Sequence, residues 1–142
     1  RGRLASDRAV FSDGAARTLV IHQATDGQPG PGDRNSWMLP ASGLDTEGDH
    51  PERPGFDPAM VLAALRDQGL RRVLVEGGGV TVSRFLRAGA LTRLHVTVAP
   101  LLIGSGRHSL SLPAIPSLDQ ALRPPCRVYR LDDDVLFDLD LR

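Results

Sequence analysis

Disulfide chemistry is the first thing this sequence excludes. Its single cysteine, Cys126, has no second thiol in the chain to pair with, which fits a reducing cytoplasm. There is no CxxC pair, no HExxH and no spaced cysteine–histidine cluster, so no structural or catalytic zinc is expected. Neither charge dominates: Lys plus Arg and Asp plus Glu each number 17, giving a formal net charge of zero. That balance argues against a nucleic-acid partner and against a membrane surface. No apolar run approaches the roughly 20 residues that span a bilayer. The opening RGRLASDR lacks the apolar centre of a secretory signal. What remains, with 41% hydrophobic and 24% charged residues, fits one compact soluble domain over 1–142.

Hydrophobic patterning predicts the elements. RTLVIH (17–22) is a β-branched run and reads as a buried strand. From 25 to 55, repeated glycine and proline among polar residues predict a long loop, holding one short strand at SWML (36–39). FDPAMVLAALRDQG (56–69) predicts a helix, with Asp57 as N-cap, Pro58 at the first position and Gly69 as the C-terminal stop. Its Val61, Leu62 and Leu65 share one face, suited to packing on a sheet.

RRVLVE (71–76) reads as a strand buried on both faces, as in a parallel sheet. VTVSRFLRAG (80–89) follows as a second helix, and RLHVTVAP (93–100) as a strand with Leu94, Val96 and Val98 inward. CRVYRL (126–131) and VLFDLDL (135–141), joined across Asp132, Asp133 and Asp134, predict an antiparallel hairpin. In its second strand Val135, Phe137, Leu139 and Leu141 share a face, while Asp138 and Asp140 point outward. The fold class is therefore α/β with a mixed, mostly parallel sheet ending in an antiparallel hairpin.

The stretch LVEGGGV (74–80) carries the chemistry. Where a strand gives way to a helix, the unpaired N–H groups and the positive end of the helix dipole attract anions. Gly77, Gly78 and Gly79 remove every Cβ there, so a phosphate or pyrophosphate can approach the main chain. Thr81, just inside the helix, adds a hydroxyl. The pattern is neither the Rossmann fingerprint, since Val82 stands at its third glycine, nor a P-loop, since no Gly-Lys-Ser/Thr follows. A tight turn that binds nothing is the competing reading. Glu76 can accept hydrogen bonds from a substrate's hydroxyl or amide groups, or cap the next helix.

Beyond these residues, VLVEGGGVTVSRFLRAGALTRLHVTVAPLLIGSG (73–106) resembles the reductase domain of bacterial riboflavin biosynthesis. That domain is the C-terminal half of a bifunctional pyrimidine deaminase–reductase related to dihydrofolate reductase. The shared pattern is Glu76-Gly77-Gly78, Ala88-Gly89, Ala99-Pro100 with its apolar pair, and Gly104-Ser105-Gly106, closed by the final DDDVLFDLDLR. The resemblance runs from about Thr18 to the end, outside the 25–55 loop.

It implies a dihydrofolate-reductase-like αβα sandwich, NADPH as hydride donor, a homodimer, and reduction of the ribosyl group of a phosphoribosylamino-pyrimidine to ribityl. By position, Gly77, Gly78, Gly79, Val80 and Thr81 would cradle the NADPH diphosphate, and Glu76 would contact the substrate. Arg1 or Arg3 would approach the 2′-phosphate. The family domain is longer at its N-terminus, so the chain is expected to lack the first strands. The deaminase's zinc motif is absent, so no deamination is expected of this chain.

One departure keeps alternatives open: Thr92-Arg93 stands where the family carries an acidic pair. The scaffold could therefore serve another heterocyclic or small carbonyl substrate, or be a non-catalytic nucleotide-binding or dimer-forming module. Gly104-Ser105-Gly106 reads as a flexible turn in preference to a second anion nest. His95 points away from the Leu94 face, Asp132–Asp134 lack the EF-hand spacing, and Arg84 and Arg87 read as solvated surface residues.

Overall fold

The computed structural model describes residues 8–23, 36–39, 44–45, 55–106 and 108–142. They divide after Val73 into two compact units. The expectations for Arg1 and Arg3 lie outside the described residues.

In the first unit a single helical turn, α1 (Ala9–Ser12), precedes β1 (Val20–Gln23). β1 pairs in parallel with β2 (Ser36–Leu39), Val20 opposite Ser36 and Gln23 opposite Leu39. β3 (Leu44–Asp45) and β4 (Gly55–Phe56) form a short antiparallel pair that the loop reading of 25–55 did not anticipate.

α2 (Pro58–Asp67) forms as its punctuation predicts. The Asp57 carboxylate accepts from Ala59 N–H at 2.8 Å, satisfying one of the helix's orphan donors. At the other end Gly69 adopts φ +80°, and its N–H and that of Leu70 return to the carbonyls of Arg66 and Leu65. Val61, Leu62 and Leu65 are half-buried around the buried Ala64. Residues Arg17 and Gln68 meet through a hydrogen bond of 3.2 Å, which ties the chain ahead of β1 to the end of this helix.

In the second unit α3 (Gly79–Arg87) leads into β5 (Arg93–Val98). An irregular stretch with one 3-10 turn at Leu118–Gln120 then reaches the hairpin of β6 (Cys126–Leu131) and β7 (Asp134–Asp140). The three strands form one antiparallel sheet in the order β5-β7-β6. Leu131 pairs with Asp134, so the hairpin closes on only two residues; Asp132 takes φ +55°, a conformation Asp tolerates. Leu94, Val96 and Phe137 lie on one sheet face, with Val128 beside Phe137.

Three expectations are corrected. Residues 71–76 form no ladder, and Leu74 stands 80% exposed, not buried on both faces. A β-branched run has the propensity for a strand, but a strand exists only where a partner accepts its hydrogen bonds. The sheet is not mostly parallel: parallel pairing is confined to β1 and β2, and the larger sheet is antiparallel. Asp138 does not point into water, since cationic neighbours cover it. The chain is thus α/β, with few helices and an antiparallel three-stranded sheet.

Candidate functional site

The Gly-rich turn lies between an extended segment and α3. Gly78 is the N-cap, in extended conformation at φ −69° and ψ 167°, and offers no side chain to cap the helix. No acidic residue occupies the first turn, while Arg84 and Arg87 lie in the last. The basic pair suits the negative end of the helix dipole, and the missing acid leaves the positive end uncompensated from within. The N–H groups of Thr81 and Val82 bond to the carbonyl of Gly78, at 3.0 and 3.3 Å. Those of Gly78, Gly79 and Val80 make no hydrogen bond to a described residue. Three donors are thus available in sequence at one helix start.

The three glycines are not equivalent. At Gly78 a Cβ would meet nothing within 4 Å, so this is the position where the backbone is open to an incoming group. At Gly77 a Cβ would lie 3.0 Å from Cβ of Thr81 and 3.2 Å from its Oγ1, so the Thr81 side chain covers that face. At Gly79 a Cβ would lie 2.5 Å from the Ser109 carbonyl oxygen and 2.8 Å from that of His108. Gly79 is bare because another part of the chain packs on it. Of the three bare faces, the one at Gly78 is open, whereas those at Gly77 and Gly79 meet other atoms of the protein.

Glu76, two residues before the N-cap, is exposed and makes no hydrogen bond or ion pair with a described residue. It does not cap α3. Val80 is exposed and Thr81 is exposed on the first turn. Arg84 and Arg87 lie five and eight residues beyond Gly79, about 8 and 12 Å along the axis at 1.5 Å per residue. They belong to the opposite end of the helix.

Ser83 escaped the sequence reading. It is 5% exposed, and its Oγ accepts from Ser111 N–H at 2.7 Å. The available signal was the pair of small residues Gly79 and Ser83, four apart on one helix face, a spacing that lets another backbone come close.

A second polar cluster sits on the antiparallel sheet. Asp138 lies across the ladder from His95 on one side and Arg127 on the other. Its Oδ1 is 3.3 Å from Nε of Arg93 and 3.2 Å from Nε2 of His95. That oxygen is buried and neither contact has the alignment of a hydrogen bond, so the attraction to Arg93 is chiefly ionic. The two positions that depart from the family pattern are both engaged here: Arg93 faces Asp138, and the Thr92 carbonyl accepts from Leu141 N–H at 3.0 Å. Gly104 adopts φ +69° in an exposed bend. Among the described residues no His, Cys, Asp and Glu group has metal-ligand geometry, and no helix is long and apolar enough to cross a membrane.

Comparison with known proteins places this geometry in a lineage. The RibD C-terminal domain family matches residues 1–136. A riboflavin biosynthesis protein RibD of Mycobacterium tuberculosis (strain ATCC 25618 / H37Rv) is 39% identical over 67 residues, covering 47% of this chain and 19% of the relative. The protein of the same name from Bacillus amyloliquefaciens is 36% identical over 101 residues, 67% of this chain and 24% of the relative. That of Aquifex aeolicus (strain VF5) is 32% identical over 69 residues, 49% and 19% respectively. The matched region spans about a fifth to a quarter of these relatives' length. With all but its last six residues inside the family match, this chain belongs to the RibD C-terminal domain family.

Proposed function

We propose that this chain is the reductase part of a riboflavin-biosynthesis enzyme, an NADPH-dependent oxidoreductase on a dihydrofolate-reductase-like αβα sandwich. Its reaction reduces the ribosyl group of a phosphoribosylamino-pyrimidine to the ribityl form. Family membership and the names of the relatives support the pathway. The observation that carries the cofactor half is the open backbone at Gly78, beside three N–H groups without described partners.

The residues present fit a dinucleotide's diphosphate. Gly78, Gly79 and Val80 would donate main-chain N–H groups to its oxygens, and the positive end of α3 favours the charge. Thr81 adds a hydroxyl on the same turn, and Gly77 carries no side chain to displace it. When bound, the nicotinamide supplies the hydride; the protein's task is to hold donor and acceptor in line. Glu76, exposed beside the turn and without a partner among the described residues, can accept hydrogen bonds from a substrate hydroxyl or amide. The same reading carries a homodimer, which the resemblance implies, and a cytoplasmic location, which the single cysteine supports.

A second reading, a reductase of another heterocyclic or small carbonyl compound, draws on Thr92-Arg93. It is weakened by the structural use both residues have in the sheet. A non-catalytic nucleotide-binding module is the third. Titration of the protein into NADPH, followed by cofactor fluorescence, tests the first step: the absence of a saturable change removes the reading. Oxidation of NADPH with phosphoribosylamino-pyrimidine and not with dihydrofolate separates the first two, and binding without turnover favours the module.

A further inference from the structure

The segment after the exposed Gly104 turn comes back to α3 and touches it twice. Carbonyls of Ser109 and His108 lie so close to Gly79 that a Cβ there would sit 2.5 and 2.8 Å from their respective oxygens. Both are backbone atoms, which cannot swing aside as a flexible side chain would. One turn further along the same helix face, the buried Ser83 hydroxyl accepts from Ser111 N–H at 2.7 Å. The two contacts advance together: Ser109 meets Gly79, and Ser111 meets Ser83 about 6 Å further along the helix axis. Residues 108–111 therefore run as a strap beside the first turns of α3, in the same direction as the helix.

We propose that Gly79 and Ser83 form a clamp for this strap, and that Ser83 is a positioning residue for the donor turn at Gly78–Val80. This rests on the reading of that turn as the cofactor site. Helix starts fray because their first hydrogen bonds have no predecessor to hold them. Here the first bonds are those of Thr81 and Val82 to the Gly78 carbonyl. The strap holds the helix at Gly79, immediately beside that carbonyl, and at Ser83, one turn on. A clamped first turn presents its three free N–H groups already in place, so less order has to be created when an anion binds. It also explains two features that the cofactor alone does not: the third glycine, whose bare face is covered by protein, and a buried serine in the middle of an amphipathic helix.

Hydrogen exchange on the full chain, read at the amides of Thr81, Val82 and Ser111, decides the matter without needing cofactor. Ser83→Ala removes one buried acceptor and should speed exchange at all three by about tenfold. Wild-type exchange at Thr81 and Val82 in this variant would overturn the proposal. Gly79→Ala should give the same signature by driving the strap off; should that variant fail to fold, Ser83→Ala still decides. In turnover, Ser83→Ala should raise KM for NADPH with kcat nearly unchanged, a split that a general loss of stability would not produce. Gly78→Ala separates the two ideas: it should weaken NADPH while leaving Ser111 exchange as in wild type. Wild-type protein that ignores NADPH would sink the cofactor reading, with the clamp still judged by exchange.

Discussion

Asp138 and His95 face each other directly across the β5–β7 ladder, the buried Oδ1 of the aspartate 3.2 Å from Nε2 of the imidazole. The same oxygen lies 3.3 Å from Nε of Arg93, so one carboxylate holds two residues of the neighbouring strand. Arg127 stands opposite it on β6, which makes Asp138 the polar centre of the three-stranded sheet.

Replacing Asp138 with alanine should therefore cost stability. The Asp138 side chain is 10% exposed, whereas those of Arg93 and His95 are half-exposed and keep their hydration when it goes. The loss should be about 1 kcal/mol, because the partners left behind are not stranded in the interior. Urea denaturation measures it. A loss below about 0.5 kcal/mol would mean that water screens the cluster as it screens surface pairs.

Gly78→Val places a branched side chain where the present backbone meets nothing within 4 Å. NADPH affinity should fall at least about tenfold, or ~1.4 kcal/mol. The fold should persist, because φ −69° suits any residue. Fluorescence titration of a variant with wild-type circular dichroism provides the check, and unchanged affinity would count against the cradle.

Asp57→Ala removes the acceptor for Ala59 N–H at the start of α2. Because an N-cap satisfies a donor that the helix itself cannot, the change should lower stability by about 1 kcal/mol. Thermal melts of the variant and of Asp57→Ser, which restores a capping oxygen, should bracket the effect.

Asp140 grips Arg142 through two side-chain contacts, at 2.9 and 2.6 Å, and also accepts from its N–H. The Arg142 side chain's hydrogen bonds, its N–H and its charge hold the Asp140 carboxyl well below the usual carboxylate range. A carboxyl so depressed contributes its stability above the unfolded value near 4 and loses it as pH falls through the lower folded value. The Asp140 carboxyl resonance should stay ionised at pH 3 in the wild type and titrate normally in Arg142→Ala. Normal titration in both would show that the pair does not persist in solution.

Helices α2 and α3 were legible because their signals are local. Asp57, Pro58 and Gly69 each act on a neighbouring N–H or on their own φ, so α2 falls within the predicted span. The hairpin was legible for the same reason, although Asp134 joins the strand and the turn is shorter than three aspartates suggest. The direction of the sheet was not legible: whether β5 lies beside a parallel or an antiparallel neighbour depends on partners far along the chain. RRVLVE shows the same limit, having the composition of a core strand and no ladder.

At the site, the run Glu76-Gly77-Gly78-Gly79 by itself determined where the main chain would be bare and that a helix would begin there, since removing Cβ and starting a helix are properties of adjacent residues. Only the tertiary structure decided what each bare face meets: Thr81 at Gly77, open space at Gly78, and the carbonyls of His108 and Ser109 at Gly79. It alone also turned Ser83 from an ordinary helix residue into an anchor for Ser111, twenty-eight positions away. The physical reason is range. Capping, φ preference and side-chain absence act within one turn, whereas steric closure and a buried hydrogen bond need a second segment, and folding chooses which one arrives.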